Sequence, residues 1–469
     1  MERFGEKYKA YCLDRKHFLS QFTDIDQHKR LFSLAIPMIL SNITVPLLGL
    51  VDTAVIGHLD QAYFLGGSTV GAMIITFVTW LCGFLRMSTT GLAAQAFGAS
   101  NSEQGMLILW RGVLVAFMIG VLLILFQHQY LSFALYLAGG SEHVQFYARQ
   151  YTDIRIWGLP AALGNLVLLG WLLGNHRAKA VMWILIFTNL VNLVLDLVFV
   201  LGFGWQVRGV ALATLAAEYS GLLIGFWVIW INARDSINRL VADFKHYLAR
   251  ILALEGLVQY FKLNRDILIR TLCLEICFVF ITFQGARLGD NVVAANAILM
   301  NFLLLISFGL DGVANAAEAM VGQAKGARST SSLKTIVNIS LFWTATFALF
   351  YTLSFALGGE YFIGLISDIP SVVEFAQHYL PWIVVLPLIA CWCYLYDGIY
   401  IGLMQARAMR NSMILATFGC FFPAWFILQS FGNHGLWAAF SCFMLARGVF
   451  LAWHYRRHNA EFIESERKE

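Results

Sequence analysis

Twelve stretches of this chain are apolar for about the 20 residues that a helix needs to cross a bilayer. They are 31–57, 65–90, 106–128, 147–173, 180–203, 208–232, 264–287, 293–322, 334–357, 373–404, 412–431 and 434–455. Only 13% of the residues are charged and 59% are hydrophobic, whereas a soluble domain carries about a quarter charged residues. Most of the surface must therefore face something other than water, and we expect an all-α polytopic membrane protein. The first 30 residues are polar and hold seven Lys or Arg, with no apolar core ahead of a cleavage site. We expect no cleaved signal peptide, and the segment from Leu31 to act as the first span. Of the eight cysteines, Cys273, Cys277, Cys391 and Cys393 fall inside apolar segments and read as small buried hydrophobes.

The basic residues set an orientation. With the N-terminus inside, 24 of the 32 Lys and Arg fall on cytoplasmic pieces and two, Arg208 and Arg287, on the opposite loops. That asymmetry predicts cytoplasmic termini. It also accounts for the net charge of +4 with no nucleic-acid partner. The longest internal linker has Leu240, Phe244, Leu248, Ile251 and Leu252 at helical spacing, with Arg239, Lys245 and Arg250 between them. It predicts an amphipathic helix on the inner membrane face. The expected organisation is a cytoplasmic arm 1–30, a first lobe 31–232, the linker 233–263, a second lobe 264–456 and a tail 457–469.

The halves repeat. QAFGA at 95–99 answers to QAKGA at 323–327, GLP at 158–160 to VLP at 385–387, and RGVALAT at 208–214 to HGLWAAF at 434–440. An even number of spans per half makes the repeat parallel, about an axis along the membrane normal. The reading is twelve transmembrane helices in two pseudo-twofold-related six-helix lobes, with a cleft between them suited to alternating access. The glycines of QAFGA and QAKGA are expected to end helices.

No Walker loop, G-x-S-x-G, H-E-x-x-H or paired C-x-x-C occurs, so the chain has no evident ATP site, nucleophile or metal set. We expect no enzyme, no cofactor and no resident metal. Vectorial work would then draw on an ion gradient, and ionisable groups inside the spans are where to look. Asp52 stands alone in VPLLGLVDTAVIGHL. Pro37 and Pro46 precede it in the same span, and Pro37 leaves the Ser33 carbonyl without its helical donor. In TNLVNLVLDLV, Asn189, Asn192 and Asp196 share a helix face, as do Thr214 and Glu218 in the next span. Counting rise per residue puts Asp52, Asp196 and Thr214 roughly 8–11 Å below the outer surface. The second half carries Glu275, Asp311, Glu318 and Asp397, with Arg270 and Arg447 as candidate partners. Among these acids Asp311 is the substrate-facing candidate, and the two arginines read as ion-paired for packing.

LAIPMILSNITVPLLGLVDTAVIGHL, LRMSTTGLAAQAFGA, NLVNLVLD, ALATLAAEYSGLLIG and CWCYLYDGIYIG resemble the multidrug and toxic compound extrusion (MATE) transporters, DinF branch, from Leu31 to about Arg457. The resemblance implies export of amphipathic, often cationic compounds against inward proton or sodium flow. It assigns the cation-coupling set to Asp52, Asn192, Asp196 and Thr214, and the helix bend to Pro37. Tyr151 and Asn165 correspond to further polar residues lining the lobe. Glu218 and Asp311 are added as cavity-lining candidates. The implied setting is the bacterial inner membrane. The expected partners are small toxic compounds and membrane lipid, with the chain as a monomer. The reading leans to protons, although hard oxygens suit sodium as well. A lipid or lipid-linked oligosaccharide flippase is the nearer alternative, and an intramembrane enzyme or receptor the remoter one.

Overall fold

A computed structural model describes residues 25–57, 62–138, 141–367 and 369–458, with side chains undescribed at 45–57 and at Ala62, Leu240 and Phe244. The described residues form helices and short turns without a strand. In the first half these are α1 (Ile25–Gly57), α2 (Ala62–Leu81), α3 (Phe84–Gly98), α4 (Ser102–Leu125), α5 (Gln127–Ala138) and α6 (Glu142–Arg155). They continue with α7 (Leu159–Gly174), α8 (Ala178–Asp196) and α9 (Gln206–Asn232). The linker holds α10 (Arg234–Ala242) and α11 (Phe244–Ile251). The second half has α12 (Leu254–Leu288), α13 (Asp290–Gly326), α14 (Thr330–Ile366), α15 (Pro370–Gly402), α16 (Ala406–Ile414), α17 (Phe422–Leu428) and α18 (Asn433–His458).

Ten spans among the described residues are long and apolar enough to cross a membrane. Several combine two elements: α2 joins α3 through a turn at Cys82–Gly83, and α6 joins α7 through a tight turn at Ile156–Gly158. The two other long helices, α1 and α12, complete the twelve. α12 carries Arg265, Asp266, Arg270 and Glu275 in mid-course, which lowers its hydropathy. Large side chains such as Leu357, 90% exposed, and Ile427, 75% exposed, point outward. That is the inversion a lipid solvent requires.

The linker differs from the single amphipathic helix expected. It breaks at Asp243 into two short helices, and Leu240 and Phe244 lie outside the described side chains. Arg111 of α4 donates to the carbonyls of Arg250 at 2.7 Å and Ile251 at 3.4 Å. Arg250 pairs with Glu103, and Tyr247 is buried against Leu107. Leu248 and Leu252 stay exposed on the other side. The linker is thus fastened to α4.

Packing crosses the division between halves at two helices. The first part of α1 lies on the second half: Trp343 of α14 donates to His28 at 2.8 Å, its ring meets Phe32 edge-on at 4.5 Å, and Asn42 donates to the Phe308 carbonyl at 3.3 Å. Farther along, Asn189 of α8 donates to the Thr44 carbonyl at 3.3 Å, so α1 has passed to the first half. α12 makes the mirror crossing. Its Tyr260 hydroxyl is buried in the first half, 3.4 Å from the Ser88 hydroxyl and 3.2 Å from that of Thr89. Gly112 makes the room: a Cβ there would stand 3.2 Å from that hydroxyl and 2.7 Å from Val167.

Candidate cation site and the seam between the lobes

α8 and α9 are antiparallel neighbours, and their facing polar residues meet. Asn192 and Asp196 are fully buried. Asn192 donates its amide to Thr214 Oγ1 at 3.1 Å, and Thr214 donates to the Val210 carbonyl at 3.0 Å. Burial of such groups is tolerated only with partners of this kind. Asp196 closes α8, and the chain then widens into a π turn over Leu197–Gly202, a distortion that recurs at functional sites. The structure therefore joins Asn192 to Thr214, with the buried Asp196 one turn farther along α8, and α1 packs along α8. Asp52 is on the helical backbone of α1, but its side chain lies outside the described residues. Pro37 is buried and the helix runs through it. Ser41 donates to the Pro37 carbonyl at 2.6 Å and Thr44 to the Ser41 carbonyl at 2.7 Å. Hydroxyls that bond back to the helix supply alternative partners along this stretch and favour bending.

The cavity-lining candidates have structural partners. Glu218 takes both guanidinium nitrogens of Arg155 at 2.7 Å each. Tyr151 is buried beside Gly71 and bonds to the same arginine. Asn165 donates to the Glu218 carbonyl at 2.9 Å. Tyr151, Asn165 and Glu218 thus form one network with Arg155, tying α6, α7 and α9.

In the second half Asp397 of α15 sits between Arg270 of α12 and Arg447 of α18, the latter at 2.7 Å. All three are buried, so the two arginines do serve packing. Nearby, Asp311, Asn315 and Glu318 form a polar stripe on α13 at helical spacing. Arg86 of α3 crosses to it and donates to Asn315 at 3.2 Å. Asp311 is half-buried and feels Arg86, Arg270, Arg447 and Asp397. The motifs above do not single out Arg86; its signal in the sequence is an arginine in mid-span. Along the half of α12 that ends at Leu288, Phe77 of α2 faces Leu272, Glu275, Ile276, Val279, Phe280, Phe283, Gln284 and Arg287 across a cleft of about 630 Å³.

At the end of the bundle that bears the termini the halves meet tightly. Gly98 and Gly326 end their helices, and each lies against the other motif: a Cβ on Gly98 would overlap the Gln323 backbone, and one on Gly326 that of Gln95. Gln95 donates to the Gly402 carbonyl at 2.8 Å and Lys325 to that of Leu403 at 2.7 Å. His176, in the turn between α7 and α8, lies 3.3 Å from the Ala319 carbonyl. Burial and the nearby Arg30 push its pKa down to about 4, so it sits neutral in the seam.

Residues 37–198 and 267–426, one block in each half, match the MatE family model. The chain is 45% identical over 433 residues to the DNA damage-inducible protein F of Escherichia coli, across 92% of each chain. It is 25% identical over 459 residues to the probable multidrug resistance protein NorM of Acinetobacter baylyi, across 93% of this chain and 97% of that one. An outward-facing multidrug resistance MATE transporter superposes with a TM-score of 0.81 at 17% identity, over 93% of this chain and 96% of the other. A MATE structure in a bent conformation gives 0.81 at 19% identity, over 94% and 97%. The last two likenesses establish the fold of the MATE transporters, and the first two place the sequence. The chain belongs to the MATE family of membrane transporters, in its DinF branch.

Proposed function

We propose that the chain exports amphipathic, often cationic organic compounds across the bacterial inner membrane in exchange for inward protons. Both termini would be cytoplasmic, as the distribution of Lys and Arg argues. The sealed, terminus-bearing end is then the cytoplasmic one, and the cleft between α2 and α12 opens outward. The observation that carries the reading is the bond of the buried Asn192 to Thr214, with the buried Asp196 one turn away on α8, the helix that packs along α1.

In this scheme Asp52 takes the cation from outside, with Asp196 as its companion carboxylate. Asn192 and Thr214 hold the site's polarity when its charge changes. A proton there removes negative potential that would draw a cationic compound, so ion and compound become competing loads. Loss of charge also alters which contacts α1 prefers, and its hydroxyl-bonded stretch from Pro37 to Thr44 is where the helix can bend. Sodium would fit the same hard oxygens.

The test is flux in proteoliposomes, with proton and sodium gradients imposed separately against a panel of organic cations and bile-salt-like anions. Uptake driven by the proton gradient alone is the expected result. Uptake driven by sodium alone would replace the proton. Transport by D52N with unchanged pH dependence would overturn the assignment of Asp52.

A further inference from the structure

The seam holds a carboxylate that this scheme does not use. Glu318 lies on α13, two turns from the glycine that closes the cytoplasmic end, and is 1% exposed. Its Oε1 is buried and has no hydrogen-bond partner among the described residues. The groups acting on it are Arg86 and Thr90, both from α3, and Asp311 from its own helix. From α15, the backbone at Gly402 presses against the Glu318 carbonyl. The α7–α8 turn presents His176 to the next residue, Ala319, and that histidine is neutral.

Two facts about this placement matter. Arg86 acts on both Asp311 and Glu318, and its own described hydrogen bond goes to the neutral Asn315. One guanidinium thus serves two carboxylates on a single helix face. Second, Glu318 is walled in by helices of both lobes. Alternating access requires α3 and α13 to part at this end, and parting them would hydrate Glu318. A group whose surroundings differ so much between two states binds its proton differently in each, and that difference couples titration to the motion.

We propose that Glu318 is a second proton-carrying site of the transport cycle, distinct from the set on α8 and α9. Asp311 is half-buried at the outer end of this stripe, and Asp311, Asn315 and Glu318 descend one face of α13 over about 10 Å. A proton enters from the outer cleft along this stripe and settles on Oε1 while the seam is closed. It leaves to the cytoplasm when the lobes part and the ionised carboxylate meets water. No bond other than O–H forms or breaks. The inference rests on the proton-coupled reading above.

The experiment measures seam opening directly. Spin labels are introduced as unnatural amino acids at Ser102 and Ser331, the exposed starts of α4 and α14. Their separation is followed by pulsed EPR against pH in lipid nanodiscs. In the otherwise native protein the open population grows as pH rises. E318Q holds the seam closed at every pH, whereas D52N keeps a titration of the seam. R86Q, which removes the shared cation, moves the midpoint to higher pH by about one unit and guards against a misfolded E318Q. A midpoint in E318Q equal to that of the native chain overturns this inference alone. A native seam that ignores pH while flux follows sodium overturns the proton reading and this inference with it.

Discussion

The two halves share a topology and differ in how they bury charge. In the first half, the buried Asp196 follows one helical turn after Asn192, whose amide donates to Thr214. In the second, Asp397 is gripped by two buried guanidiniums. A carboxylate among neutral polar groups can change charge without leaving a stranded partner. One clamped by two arginines cannot, because protonating it would leave buried cations without an anion. The repeat thus carries different side chains at the buried acids of its two halves.

The strongest way to break this contrast is to remove the clamp. D397A should cost about 3–5 kcal/mol of stability, the range for an uncompensated buried charge, read as lost folded yield and a lower midpoint in denaturation from detergent. D196N should instead cost about 1 kcal/mol or less while reducing gradient-driven flux at least tenfold. Equal stability losses for the two variants would erase the distinction between halves.

The seam offers a third comparison, since it is built alike from both halves. G98V and G326V should each disfavour the sealed end by about 1–3 kcal/mol through overpacking. The Ser102–Ser331 distance should lengthen by the same amount in either variant. A large effect from only one of them would show that the seam is less symmetric than its two motifs. A smaller effect is expected at Thr214: T214V removes the partner of Asn192, costs about 1 kcal/mol, and should lower flux more than stability.

His176 gives a pH test of the same seam. Its pKa in the fold, about 4, lies below the ordinary 6.5, so the unfolded chain binds the proton more readily. Its contribution is complete above pH 6.5 and is lost as pH falls toward 4. Denaturation midpoints of the native chain should decline through that window by more than those of H176Q.

Much of this was legible in the residues. Apolar runs of spanning length fixed the class because lipid leaves few options to an exposed backbone. The 3.6-residue period placed Asn192 and Asp196 on one face, and the parallel repeat of QAFGA and QAKGA foretold two lobes. Periodicity is local, however, and says which residues share a face but not what stands opposite. Arg155 as the partner of Glu218, Arg86 against Asn315, and the paired glycines across the seam depend on residues far apart in sequence. So does the crossing of α1 and α12 from one half to the other. Hydropathy and helical spacing come from the chain itself, whereas the neighbour that neutralises a buried charge is chosen only when the helices pack.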